Sequence, residues 1–174
     1  MRTLVLVRHA KAEATPSGPG GDHARTLVAR GRRDAAALGE MLRDSGLLPD
    51  LAVVSTGARA RQTLESMLGD DGVETWPTRR VYDGGLDGVL EAVREVPDHV
   101  EVLWVVGHEP VMSTSAWELA DPGRTGPALR EAMSSGMPTA TAAVLELDVP
   151  WSEVDLGCAR LVGRHTGRGE EPDG

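Results

Sequence analysis

Short apolar runs alternate along this chain with segments in which apolar residues recur every three or four positions. Thr3 to Val7 is apolar at nearly every position, which is typical of a strand buried on both faces of a sheet. The stretch from Leu86 to Val93 instead has the i, i+3, i+4, i+7 spacing of an amphipathic helix. The pattern predicts strands at Thr3 to Val7, Leu51 to Val54, Val73 to Trp76, Val100 to Val106, Thr139 to Leu147 and Leu156 to Val162. It predicts helices from an N-cap at Thr26 to about Ser45, from Arg59 to Leu68, around Leu86 to Val93, and from Pro110 to about Ala120.

This alternation of strands and helices with short connections predicts an α/β fold. We expect a three-layer sandwich in which a central, mostly parallel sheet is covered by helices on both faces. The strand at Thr3 to Val7 should be central, and the strand at Leu156 to Val162 should lie at an edge. The length of 174 residues suits one domain over 1–165, and the polar segment 166–174 is predicted to be a disordered tail.

Two long connections, 12–24 and 121–138, are rich in Gly and Pro and carry no clear periodicity. Connections of this length inside one domain are usually either functional or poorly ordered. The first of them follows His9 almost directly, so we expect it to form the rim of a pocket.

Several of the predicted strands lead directly into short polar segments. In open α/β sheets, ligands bind beyond the carboxyl ends of the strands, so segments from different parts of the chain should meet in one crevice. The helices that begin near Arg59 and Pro110 would also point their N-terminal amides at this crevice, which favours an anion. The converging segments are Arg8 with His9, Ser55 to Arg59, Tyr82 with Asp83, and Gly107 to Glu109.

Composition and charge narrow the possible functions. The net charge of -9 opposes nucleic-acid binding, and the apolar runs are too short for a membrane span or a signal-peptide core. A single cysteine, Cys158, cannot form an internal disulfide, which together with the lack of a leader predicts a cytoplasmic protein. His23, His99 and His165 lack the spacing of metal ligands, so we expect neither a metal nor another cofactor.

Three motifs occur in order along the chain: Leu-Val-Arg-His-Ala-Lys-Ala at 6–12, Ser-Thr-Gly-Ala-Arg-Ala-Arg-Gln-Thr at 55–63, and Val-Gly-His-Glu-Pro at 106–110, with Arg25, Leu27 and Gly31 between the first two. In this order and at this spacing they resemble the histidine phosphatase superfamily, whose members are phosphoglycerate mutase-like. Within it, the chain looks most like the small phosphohistidine phosphatases of the SixA type. The similarity extends over roughly Met1 to Leu147.

The resemblance implies that His9 is the nucleophile and that Arg8, Arg59 and His108 grip the phosphate. The residue types fit these roles, because only a neutral imidazole can attack phosphorus and neighbouring cations lower the pKa of a histidine. The planar guanidinium of arginine can hold two phosphate oxygens at once and stays charged. Phosphoryl transfer depends mostly on positioning and charge stabilisation, which such a cluster supplies.

Four further charged residues each have two interpretations. Lys11 and Arg25 either contact the substrate or form surface and structural ion pairs. Some relatives place a general acid directly after the second histidine, which favours Glu109, whereas others use an acid after the middle strand, nearest here to Asp83. Glu109 could equally stabilise the N-terminus of the helix that follows it.

The sequence therefore predicts a hydrolase that forms a phosphohistidine intermediate without a metal. A missing acid matters less for a phosphoramidate than for an ester, because an imidazole leaving group can be protonated before it departs; this favours protein phosphohistidine as the substrate. The alternatives are a phosphatase of a small phosphate ester and a non-catalytic regulator that binds a phosphorylated ligand. A mutase is disfavoured, because the family's glycine, serine and asparagine do not follow His9. The partner is thus a phosphorylated protein or a small phosphorylated molecule, and the sequence indicates no oligomeric state.

Overall fold

A computed structural model describes residues 1–171 as a six-stranded sheet between two layers of helices, which confirms the predicted three-layer α/β fold. The strands are β1 (Arg2–Arg8), β2 (Leu51–Ser55), β3 (Glu74–Thr78), β4 (Val102–Gly107), β5 (Thr141–Leu147) and β6 (Ala159–Thr166). The helices are α1 (Ala29–Asp44), α2 (Ala58–Leu68), α3 (Arg80–Asp83), α4 (Gly85–Arg94), α5 (Val111–Leu119) and α6 (Pro127–Ser134). Short 3-10 turns lie at Gly21–Ala24 and Trp151–Glu153.

The sheet has the strand order β3-β2-β4-β1-β5-β6. The first four strands are parallel, and β5 and β6 run antiparallel to β1 and to each other. β1 is central and β6 lies at an edge, as predicted. Because β1 pairs in parallel with β4, Arg8 stands opposite Gly107 and the His9 amide donates to the Gly107 carbonyl at 3.0 Å. The next residue of each strand, His9 and His108, therefore emerges at the same edge of the sheet.

The core lies on both faces of the sheet, because the central strands are apolar at successive positions. Leu4 and Leu6 face one layer, which contains α4, α5 and α6, while Val5 and Val7 face the other, which contains α1 and α2. α1 approaches the chain after His9 so closely that a Cβ atom at Gly31 would lie 2.1 Å from the Lys11 carbonyl oxygen. This contact explains why a glycine stands there in the motif.

The first helix begins later than the sequence pattern predicts. Thr26 is not its N-cap, since α1 starts at Ala29 with Val28 as the cap. Leu27 forms an isolated antiparallel bridge with Ala12, and the Leu27 amide donates to the Gln62 side chain at 2.8 Å. These contacts keep the backbone extended for two residues beyond the predicted start.

Other bounds also differ from the prediction. α6 lies inside the connection 121–138 that was expected to be irregular, and its buried Met133 anchors it to the core. The tail expected to be disordered from 166 is ordered at its start. Thr166 ends β6, the Gly167 amide donates to the Ala140 carbonyl at 2.9 Å, and the Gly169 amide donates to the Asp34 carboxylate at 2.9 Å. Residues 172–174 lie outside the described residues.

Within residues 1–171, the helices are all too short or too polar to cross a membrane.

Candidate active site

The four predicted segments meet at the carboxyl end of the parallel strands. The rings of His9 and His108 lie 5.3 Å apart between centroids, and the Arg59 Nε donates to His9 Nε2 at 3.3 Å. Ser55 at the end of β2 contacts His108, and the Tyr82 ring packs edge-on against His108 with centroids 5.5 Å apart. The predicted convergence is therefore confirmed.

The surroundings of His9 fix both its tautomer and its charge. Nδ1 lies 2.7 Å from the Ala10 carbonyl oxygen, which can only accept, so Nδ1 carries the proton and the lone pair is on Nε2. The hydrogen bond from Arg59 to Nε2 agrees with this assignment. Burial, followed by the charges of Arg59 and Arg8, lowers the pKa of His9 from 6.5 to about 4. The sequence predicted a lowered pKa from the cations, but burial is the larger cause.

His108 is likewise buried and neutral. Its Nε2 lies 2.7 Å from the Ser55 Oγ, which also accepts a hydrogen bond from the Gly57 amide. Burial, followed by the charges of Arg59 and His9, lowers the pKa of His108 from 6.5 to about 3. Nδ1 of His108 is buried and has no hydrogen-bond partner among the described residues. A buried unpaired ring nitrogen of this kind is suited to a ligand.

Two arginines bring positive charge to this site. Arg59 is buried at the first turn of α2, and besides His9 it donates to Asp22 through Nη1 and Nη2. Arg8 is half-buried at the end of β1 and donates through Nη1 to the Met137 carbonyl at 2.8 Å. Arg8 also lines a cavity of about 540 Å³ together with Arg164. Arg59 contacts His9 directly, and the charge of Arg8 is close enough to lower the pKa of His9. That Arg8 and Arg59 together hold a phosphate stays a prediction.

The connection 12–24 contributes residues that the sequence analysis did not select. Asp22 accepts hydrogen bonds from Arg59 and from the Tyr82 hydroxyl, the latter at 2.8 Å. His23 contacts the Thr56 hydroxyl at 2.9 Å and packs edge-on against Tyr82. These contacts place the connection against the residues around the two histidines. That it forms the rim of a pocket stays a prediction. The length of the connection and its place after His9 were the only sequence signals for either residue.

Among the described residues, the hydrogen bonds of the Arg25 side chain go to neither histidine, although its charge helps to lower the pKa of His9. Arg25 donates to the Glu13 carbonyl at 2.9 Å and to the Asp22 carboxylate at 2.9 Å, so it holds the connection in place as a structural ion-pair partner. Lys11 is exposed, and its backbone carbonyl accepts the Val28 amide. A direct contact of either side chain with substrate stays a prediction.

The two candidate acids are engaged elsewhere. The Glu109 carboxylate accepts hydrogen bonds from the Ser113 amide at 2.8 Å, the Ser113 hydroxyl at 2.6 Å and the Met137 amide at 3.0 Å. It thus caps α5 and anchors the chain after α6. Asp83 is exposed and accepts from Arg79 at 2.9 Å. A role as general acid stays a prediction for both residues.

Comparisons with known proteins agree with this geometry. The profile of the Histidine phosphatase superfamily (branch 1) matches residues 4–105. An uncharacterised protein of Mycobacterium tuberculosis is 41% identical over 162 residues, which cover 93% of this chain and 100% of that protein. A solved structure described as a proposed phosphohistidine phosphatase SixA of Nakamurella multipartitia is 34% identical, with a TM-score of 0.81 over 95% of this chain and 96% of that one. A similar structure from Agrobacterium tumefaciens, described in the same way, is 26% identical, with a TM-score of 0.75 over 94% and 97% of the two chains.

Proposed function

This chain belongs to the histidine phosphatase superfamily and is a phosphatase, and from this premise we propose that it hydrolyses protein phosphohistidine through a phosphorylated His9. The observation that carries the proposal is the state of His9, which is buried, neutral and held with the Nε2 lone pair facing Arg59. A nucleophile of this kind needs no separate base at neutral pH.

In the first step, the phosphoryl group lies among His9, Arg8, Arg59 and His108. The Nε2 lone pair attacks phosphorus, so a bond forms between Nε2 and phosphorus while the bond from phosphorus to the leaving nitrogen breaks. The guanidiniums neutralise the charge on the phosphoryl oxygens, and the unpaired Nδ1 of His108 donates to one of them. The distal nitrogen of the substrate imidazole takes a proton from solvent before the attack, so the ring leaves as neutral imidazole with the electron pair of the broken bond on its departing nitrogen.

In the second step, water replaces the substrate in line with the new bond. The water oxygen bonds to phosphorus, the bond from phosphorus to Nε2 breaks, and inorganic phosphate leaves with the proton lost by water. Throughout, the Ala10 carbonyl holds the Nδ1 proton of His9, so the same lone pair returns to Nε2. Positioning and charge supply most of the catalysis in reactions of this kind.

Two features support phosphohistidine as the substrate. Both candidate acids are engaged in other contacts, and a phosphoramidate depends less on an acid than an alkyl ester does. Between Tyr82 and Val100 the chain forms α4, which buries Val89 and Val93 in the core and adds no helical cover to the site. A protein-borne imidazole can therefore approach.

The cavity beside Arg8 favours a second candidate, a phosphatase of small phosphate esters. Its volume of about 540 Å³ and its two arginines, Arg8 and Arg164, suit a small anionic leaving group. In both candidate functions His9 is the nucleophile, and the two differ only in the leaving group, which is an imidazole in one and an alcohol or phenol in the other.

The deciding experiment compares kcat/KM for a phosphohistidine-bearing protein domain with kcat/KM for a panel of sugar phosphates, phosphoglycerates and aryl phosphates. His9→Ala serves as the inactive control in each reaction. We expect the protein substrate to have the highest kcat/KM. A small ester that is better by orders of magnitude would replace the phosphohistidine proposal, and binding of phosphate without turnover of any substrate would favour the non-catalytic regulator.

A further inference from the structure

The 3-10 turn Gly21–Ala24 accepts hydrogen bonds from one edge of the Arg59 guanidinium. Nη1 donates to the Asp22 backbone carbonyl at 2.9 Å, and Nη2 donates to the Asp22 carboxylate at 3.2 Å. These two nitrogens form the outer edge of the planar group. Asp22 therefore accepts hydrogen bonds from Arg59 at both its main chain and its side chain, which fixes the orientation of the guanidinium more firmly than one carboxylate contact would.

The other edge of the same guanidinium faces the nucleophile. It consists of Nε, which donates to His9 Nε2 at 3.3 Å, and of the second hydrogen on Nη2. A phosphoryl group at His9 Nε2 would meet this inner edge, and two parallel N–H donors match two phosphate oxygens. Substrate and Asp22 can therefore use different edges of Arg59 at the same time, without competition for one set of donors.

Asp22 is itself held in place from two other directions. The Tyr82 hydroxyl donates to its carboxylate at 2.8 Å, and Arg25 donates to it at 2.9 Å. The hydrogen bond from Tyr82, followed by those from Arg25 and Arg59, lowers the pKa of Asp22 from 3.8 to about 2. The carboxylate thus stays ionised over the pH range in which His9 is neutral, and it cannot serve as a general acid.

We propose that Asp22 is a positioning residue for phosphoryl transfer, which turns the inner edge of Arg59 toward the phosphoryl group on His9. This inference rests on the proposed function, in which Arg59 binds the phosphoryl oxygens. Asp22 touches no reacting atom and acts only through Arg59. The opposite role would be a carboxylate that blocks the phosphate position, and the use of separate edges argues against it.

The test compares Asp22→Ala and Asp22→Asn with a control in the same connection. Glu13→Ala is the matched control, because the Glu13 carboxylate accepts from the Thr26 amide at 3.1 Å and the Ser17 amide at 3.4 Å and so anchors the same connection. For each variant, kcat and KM are measured with p-nitrophenyl phosphate, and the affinity for vanadate, which can adopt the five-coordinate shape, is compared with that for inorganic phosphate.

We expect Asp22→Ala to lower kcat by about 10- to 100-fold with a much smaller change in KM, as for misplacement of a catalytic group by about 1 Å. Vanadate affinity should fall with kcat, Asp22→Asn should recover part of the loss, and Glu13→Ala should stay near wild type. Unchanged kcat or tighter vanadate binding in Asp22→Ala would overturn the proposal. An equal loss in Asp22→Ala and Glu13→Ala would also overturn it, because the effect would then come from the connection as a whole.

A readout without turnover separates this proposal from the function on which it rests. In the wild-type protein, the Arg59 Nε–H should give a sharp, slowly exchanging NMR signal, and Asp22→Ala should broaden it while Glu13→Ala leaves it sharp. If phosphatase turnover survives in His9→Ala, the proposed mechanism fails, yet the Arg59 signal still reports whether Asp22 orients that side chain. An unchanged signal in Asp22→Ala contradicts the positioning role whatever the activity.

Discussion

Replacing the buried nucleophile by a residue that does not titrate should make the fold more resistant to acid. His9 is only 7% exposed, and its pKa is about 4 in the folded protein against 6.5 for an ordinary histidine. As the pH falls below 6.5, the unfolded chain binds a proton at this residue that the folded chain does not bind. The free energy of unfolding therefore has its full value above pH 6.5 and falls as the pH drops toward 4.

The size of the effect follows from the two pKa values. For pKa values of 6.5 unfolded and about 4 folded, the loss for this one residue between pH 7.5 and pH 4.5 is about 2.5 kcal/mol. In His9→Gln this contribution is absent, while the other ionisable groups remain. The fall in unfolding free energy between the two pH values should thus be about 2.5 kcal/mol smaller in the variant than in the wild type.

The assay is urea unfolding of both proteins at pH 7.5 and pH 4.5. The transition is followed by tryptophan fluorescence and far-UV circular dichroism, and coincident transitions establish two-state unfolding. Because each protein is compared with itself at the two pH values, the effect of the substitution on packing cancels. An equal pH dependence for wild type and variant would show that His9 titrates normally in the fold, and would refute the argument that burial and the neighbouring arginines lower its pKa.

Three other predictions follow from the same structure. Arg8→Ala and His108→Ala should each lower kcat by about 100-fold, which is the scale of losing one transition-state donor. EDTA should leave the wild-type rate unchanged, and a loss of activity in EDTA that a divalent metal restores would contradict this. Loss of the general acid should lower kcat much more for an alkyl phosphate, which has a poor leaving group, than for p-nitrophenyl phosphate. Because Glu109 and Asp83 are engaged in other contacts, we expect no such difference in kcat for Glu109→Gln or Asp83→Asn. Leu6→Ala, in the fully buried centre of β1, should lower the free energy of unfolding by about 2–5 kcal/mol and leave kcat per folded molecule unchanged, as checked by urea unfolding and active-site titration.

The sheet and the reacting residues could be predicted because their signals are local. β1 and β4 are apolar on both faces, and each is followed directly by a histidine. The rule that ligands bind at strand ends was therefore enough to bring His9 and His108 together. Arg59 follows β2 by the same rule. The resemblance of the motifs then indicated the chemistry of these positions.

The parts that were missed depend on contacts between distant residues. Asp22 lies in an irregular Gly-rich connection, and its partner Arg59 is 37 residues away, so neither periodicity nor spacing marks it. α6 is short and stands between glycines and prolines, and of its residues Met133 alone is fully buried, which leaves a weak helical pattern. The sequence also does not show that the Ser113 and Met137 amides donate to Glu109, because Met137 is 28 residues away from it. Cytoplasmic location stays a prediction from the sequence.

The central claim is that the phosphoryl group passes through His9, and trapping the phosphorylated enzyme tests it most directly. The wild-type protein is mixed with a protein substrate that carries ³²P-phosphohistidine, quenched in alkali within milliseconds, and digested to locate the label. We predict an acid-labile, alkali-stable label on the peptide that contains His9, and no label in His9→Ala. Turnover with the label on another residue, or turnover by His9→Ala without any labelled enzyme, would contradict the account.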